Sequence, residues 1–197
     1  MKKLLGALTL LAVSSLSQAA SNVALGSSVT TTGSGFGNDG GWCCSAPAAL
    51  STVVDGSFVA NGQQWNIGTV FWGGAYGADV ITISLPTLSS VSSLVLQGDN
   101  NDDYLIRYRN ASNVWADLAT ISPNRSWGMD MGGATFASPV TANAFSISIV
   151  GGDGLASVSE FQAIGAPVPE PETYALLLAG LGLVGTVARR RQARRQG

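Results

Sequence analysis

Histidine is absent from this sequence. Its absence excludes Ser-His-Asp and Cys-His catalysis and the usual zinc sites, all of which use an imidazole. Clustered basic residues are missing from the central part of the chain. Residues 20–165 hold ten carboxylates (Asp39, Asp55, Asp79, Asp99, Asp102, Asp103, Asp117, Asp130, Asp153 and Glu160) against Arg107, Arg109 and Arg125, a net charge of −7. Phosphate contacts need grouped Lys and Arg, so nucleic acid is excluded as a partner. The whole-chain charge of −2 hides this imbalance, because both termini are basic. The glycine-rich run Gly33-Ser34-Gly35-Phe36-Gly37 lacks the following Lys and helix of a phosphate loop. Long apolar runs are also lacking: neither terminal stretch reaches the roughly 20 residues of a full membrane span.

Both ends nevertheless carry addresses. Lys2 and Lys3 precede the apolar run Leu4–Val13, and Ser17-Gln18-Ala19 fits the small-x-small cleavage pattern. Residues 1–19 therefore read as a secretory signal peptide with an apolar signal helix, cleaved after Ala19. At the other end, Pro167, Pro169 and Pro171 prevent regular structure and make an extended stalk. The uncharged stretch Tyr174–Ala188 follows and is expected to form a single transmembrane helix, marginal in length. Arg189, Arg190, Arg191, Arg194 and Arg195 would hold the end of that helix on the cytoplasmic side.

The central residues read as β structure. Ile81, Ile83 and Leu85 alternate with polar neighbours, as do Tyr104, Ile106 and Tyr108, and Phe145, Ile147 and Ile149. Period-two alternation marks strands with one buried face. Leu94–Leu96 and Val114–Thr120 are further candidates, and Asn110-Ala111-Ser112-Asn113 reads as a hairpin loop. No persuasive amphipathic helix lies between the ends. Short strands with frequent turn signals predict an all-β domain over 20–165, a β-sandwich or jelly roll.

Two resemblances follow from these residues. The order Pro169-Glu170-Pro171, short apolar helix, Arg cluster resembles the PEP-CTERM sorting signal, covering 166–197. That resemblance implies export by a Gram-negative bacterium, a transient stay in the inner membrane and processing by an exosortase. It also implies final placement at the cell surface or in an extracellular, biofilm-type matrix. A plain uncleaved anchor is the alternative. The second resemblance rests on Asn22–Gly26, Ala48–Gly56, Trp65, Ile81–Leu85, Val95–Asn100, Tyr104–Tyr108, Trp115–Leu118 and Ser159–Gly165, in that order. Together they resemble the discoidin, or coagulation factor V/VIII C-type, domain of galactose-binding-like fold. The Cys pair of many animal members is absent, and Ser122–Pro139 matches nothing in that pattern. The resemblance implies a ligand-binding module, often for carbohydrate, and in bacterial members a structural calcium ion. The matching calcium positions are Asp55 and Glu160; otherwise Asp55 makes a tight Asp-Gly turn and Glu160 is a surface residue.

Sugars present flat apolar faces and rings of hydroxyls, so a site needs an aromatic surface and a few fixed polar groups. Trp65 and Trp115 sit beside strand patterns and read as core. Trp42, Trp72 and Trp127 lie in Gly- and Ser-rich segments and are the candidate ligand-stacking residues. Trp127 leads, with Arg125, Asn124 and Asp130 near it, although it could equally plug one end of the sandwich. Cys43 and Cys44, exported to an oxidising space, form a strained vicinal disulfide, remain free thiols or pair between chains. Asp99, Asp102 and Asp103 form the dense acidic group, which reads as a solvated turn. The expected function is a non-catalytic, matrix-associated binding module for carbohydrate or exopolysaccharide. A structural biofilm or adhesion protein is the alternative, and a glycoside hydrolase built on carboxylates is more remote.

Overall fold

The structure, a computed structural model, describes residues 19–42, 46–169 and 171–195. The signal segment, Cys43, Cys44 and Glu170 lie outside the described residues. The strands are β1 (Ser21–Asn22), β2 (Ser28–Thr32), β3 (Val70–Gly73), β4 (Val80–Asp99), β5 (Asp103–Arg109), β6 (Trp115–Ile121), β7 (Met129–Gly151) and β8 (Leu155–Pro167). A 3-10 helix covers Leu50–Val54, and α1 covers Pro171–Arg195. All strand pairings are antiparallel.

Strands β4 and β7 organise the sandwich because each is too long for one layer. Twenty extended residues would reach roughly 66 Å, well beyond a domain of this size, whose radius of gyration is about 15 Å. Both strands bend where the ladder slips, between Ser84 and Ser89 and between Val91 and Ser93. Pro86 of β4 and Pro139 of β7 lie at those slips, where a residue without an N–H is tolerated. On one side of the bend, β2, the start of β4, the end of β7, β5 and β6 lie side by side. On the other side, β8 pairs with the end of β4, which pairs with the start of β7, and β1 and β3 add to the far edge of β8. Ile81, Ile83, Tyr104, Ile106, Phe145 and Ile147 meet Trp72, Leu94, Leu96, Val158 and Phe161 in one core. The all-β sandwich expected from the alternation is what forms.

The hairpin at Asn110–Asn113 joins β5 to β6. Asn113 takes the left-handed conformation (φ 62°), which Asn tolerates, and the Asn110 side chain accepts N–H groups from Ser112 and Val114. In β8, Ser159 is an extra residue opposite β4, so Val158 and Phe161, three apart, both point into the core.

One expectation about the tail is corrected. The helix forms, but among the described residues no helix is long and apolar enough to cross a membrane. Its uncharged run is short, and Gly180, Gly182 and Gly185 dilute its apolar character before the Arg cluster begins. Leu176, Leu177, Leu178, Leu181, Leu183, Val184 and Val187 are nonetheless exposed along it.

Candidate functional site

One end of the sandwich gathers the aromatic and acidic residues. Here β4 ends at Asp99, a tight turn carries Asn100–Asp102, and β7 begins just after Trp127-Gly128. The loop between β7 and β8 brings Asp153, and the loops around 42 and 64 close the rim. Trp42, Gln64, Trp65, Asp99, Asn100, Asn101, Trp127, Gly128 and Asp153 line a cleft of about 100 Å³. Trp42 is 55% exposed and Trp127 65%, so both indoles are open to a ligand.

The backbone holds Trp127 in place. Asn100 clamps the neighbouring glycine twice: its N–H donates to the Gly128 carbonyl, and its side-chain oxygen accepts the Gly128 N–H, both at 3.0 Å. Gly128 has φ +66°, and a Cβ there would lie 2.2 Å from the Gln63 carbonyl oxygen, so no other residue fits without displacement. Met129 N–H then donates to that same carbonyl, and Met129 packs with Trp65 and Phe71 in a small second core beneath the cleft. On the other wall, Asn66 donates to the Trp42 carbonyl.

The expected neighbours of Trp127 play other parts. Asp130 is buried and accepts N–H groups from Arg125, Ser126 and Met131, so it shapes the loop and does not face a ligand. Burial pushes its carboxyl up, but those backbone hydrogen bonds outweigh burial and hold it below its ordinary range. Arg125 is exposed and does not line the cleft. Trp72 is corrected from ligand candidate to core: it is fully buried, packed against Phe36 at 5.4 Å and Tyr104 at 6.4 Å. Trp115, expected in the core, is half-buried beside Arg109, whose guanidinium carbon sits 5.7 Å from the ring centre. Trp65 is buried as expected, though it also floors the cleft.

The acidic turn is a turn, but it is not solvated. Asp99 is 4% exposed and Asp102 1%. Burial pushes Asp99 up to about 6, opposed by the Asn100 N–H and reinforced by Asp153. Burial, then the charges of Asp99, Asp153 and Asp103, push Asp102 up to about 8. Both Asp102 carboxyl oxygens lack a hydrogen-bond partner. Tyr104, fully buried, ties this end together: its hydroxyl accepts the Asp99 N–H and donates to the Ser157 carbonyl, each at 2.8 Å. Sequence reasoning found Trp42 and Trp127 from their Gly- and Ser-rich surroundings. It missed Asn100, Asn101 and Asp153 as site residues, because Asp153 reaches the site only through the fold.

Asp55 and Glu160 also come together. Glu160 is fully buried, and its Oε2 accepts the Gly56 N–H at 3.2 Å while Oε1 has no partner. Burial pushes Glu160 up to about 7; hydrogen bonds from the Gln162 side chain and Gly56 oppose this, and Asp55 adds to it. The turn at Ala24–Ser27 packs on the same loop, since the Gly26 N–H donates to the Val54 carbonyl, and the buried Ser27 hydroxyl is unpartnered too. Unpartnered buried oxygens around two neighbouring carboxylates fit a hard, oxygen-seeking dication such as calcium. Among the described residues, no group of three acidic or cysteine side chains converges as a metal cluster, so loop carbonyls would supply most ligands.

Residues 167–192 match the PEP-CTERM protein-sorting motif. No curated protein matches the chain. Among solved structures, the family 32 carbohydrate-binding module from Streptococcus pneumoniae EndoD is similar, with a TM-score of 0.52 at 14% identity, covering 73% of this chain and 98% of that one. Chitosan-binding module 1 of a chitosanase/glucanase from Paenibacillus sp. IK-5 gives 0.48 at 21% identity, covering 73% and 98%. The family 32 module of C. perfringens NanJ, in complex with galactose, gives 0.45 at 18%, covering 69% and 93%. The first of these shows that the β-sandwich of this chain shares the fold of that module.

Proposed function

We propose that this chain is an exported, non-catalytic carbohydrate-binding protein. Its β-sandwich takes a glycan in the cleft between Trp42 and Trp127, and its sorting motif directs it to an exosortase. The observation that carries the reading is the cleft itself: two exposed indoles, far apart in sequence, stand over a floor of carboxylates and carboxamides. That is the chemistry that grips a sugar, with apolar faces for C–H bonds and fixed polar groups for hydroxyls. The fold shared with the family 32 carbohydrate-binding module of EndoD supports it. A hydrolytic role finds less support, because Asp102 is buried and does not line the cleft. A glycan array probed with the full-length chain in mild detergent tests the proposal. Binding to at least one glycan class is expected, and uniform absence of binding would leave a structural matrix role in its place.

Calcium, in this reading, is structural. Asp55, Glu160 and the turn at Ala24–Ser27 would hold the ion, fastening the last strand to the first loops and supplying the positive charge that those buried oxygens lack.

A further inference from the structure

The polarity of the cleft is one-sided. Asp99 and Asp153 line it, and among the described residues no Lys or Arg does. Asn101 spends a side-chain N–H on Asp153 at 2.9 Å, and Asn100 uses its oxygen on Gly128. The two carboxylates at this cleft therefore face no cationic side chain among the described residues. Behind them lies Asp102, itself buried, with neither carboxyl oxygen partnered by the protein. A neutral sugar can hydrogen-bond to these carboxylates but brings no charge to meet theirs. This site offers unpaired negative charge and indole faces, both of which attract cations. The surrounding domain, at −7, adds a field of the same sign.

Resting on the carbohydrate reading of the same cleft, we infer that its preferred ligand is an amino sugar carrying a free ammonium group, such as a glucosamine unit of a de-N-acetylated polysaccharide. The Trp42 and Trp127 rings take the pyranose faces. The ammonium donates to Asp153 at the rim and to Asp99 at the floor, a charge-assisted pair that an N-acetyl group cannot make. N-acetylation removes the charge and adds a bulky acyl group where the carboxylates stand.

The test is a calorimetric titration of the full-length chain in mild detergent with glucosamine oligomers and with N-acetylglucosamine oligomers of equal length. The wild type, Asp153→Asn, Asp99→Asn and Trp127→Ala are compared. Asparagine keeps an oxygen for the Asn100 N–H at position 99 and for the Leu155 N–H at position 153, so both variants retain the backbone contact of the turn, and Asp153→Asn gives up only the exposed contact with the Asn101 side chain. The free-amine oligomer should bind the wild type about tenfold or more tightly than the acetylated one, the equivalent of about 1.4 kcal/mol. Either carboxamide variant should lose most of that preference while melting as the wild type does. Equal binding of both oligomers, unchanged in the carboxamide variants but lost in Trp127→Ala, would overturn the amino-sugar inference and leave the carbohydrate reading standing. Binding of neither oligomer would overturn the inference too, and the glycan array would then decide the broader reading separately.

Discussion

Trp72 and Trp127 sit in nearly the same local sequence, Phe71-Trp72-Gly73-Gly74 and Ser126-Trp127-Gly128, and end in opposite places. Trp72 is fully buried, and Trp127 is 65% exposed. The difference lies in the backbone. Residues 70–73 pair with Val158–Leu155 of β8, and Phe36 bridges to Trp72 from the other side, so its indole has nowhere to go but the core. Residues 126–128 precede the first ladder residue of β7 and are held by Asp130 at Ser126 and by Asn100 at Gly128 instead. Glycine neighbours describe a flexible chain; strand pairing decides which way a side chain faces.

The largest expected effect separates these two residues directly. Trp72→Ala should destabilise the sandwich by about 3–5 kcal/mol, the range for deleting a buried aromatic. Trp127→Ala should change stability by less than about 0.5 kcal/mol, as surface substitutions do. Urea unfolding of both variants checks this, and a Trp127→Ala protein that unfolds would show it to be a plug for the sandwich end.

A second experiment asks whether the cleft can be separated from the calcium-fitting residues. Removing calcium with a chelator should lower the melting temperature, by about 2.7 kcal/mol of stability if the ion was present at 100 times its dissociation constant. Glu160→Gln should melt low from the start and no longer respond to chelator. An unchanged melting temperature in the wild type would dispose of the ion.

A third, smaller effect tests how Trp127 is presented. Gly128→Ala forces a Cβ into a left-handed residue, costing about 1–2 kcal/mol, and against the Gln63 carbonyl. Glycan binding should fall more than stability does, because the loop that carries the indole must move. Retained affinity would mean that the clamp is irrelevant to binding.

The sequence revealed the sandwich where strands had one polar face. Ile81, Ile83, Phe145 and Ile147 are all buried, as their alternation requires. It hid the start of β7, where Gly132, Gly133 and Pro139 erase the strand signal although residues 129–135 pair fully with β4. It also hid the bulge in β8 that sets Val158 and Phe161 on one face. The aromatic half of the site was legible because indoles in loops are conspicuous. The acidic half was misread as solvated, since nothing local announces that the β7–β8 loop packs over Asp99 and Asp102.

A further effect is a slope in pH. Folding raises Asp102 from 3.8 to about 8 and Asp99 from 3.8 to about 6, so the folded chain holds more protons than the unfolded one across that window. Stability contributed by these groups is therefore fully present below about pH 4 and declines as pH rises, through about 6 for Asp99 and about 8 for Asp102. Asp102→Asn should flatten the fall in melting temperature between pH 5 and pH 8; an identical slope in the variant would mean that Asp102 is not the group responsible.

The most direct test of the central claim is the affinity of folded Trp42→Ala and Trp127→Ala chains for whichever glycan the full-length protein binds most tightly. Each variant should melt like the wild type and lose at least about tenfold in affinity, the equivalent of about 1.4 kcal/mol. Two folded variants that bind as tightly as the wild type would contradict that claim.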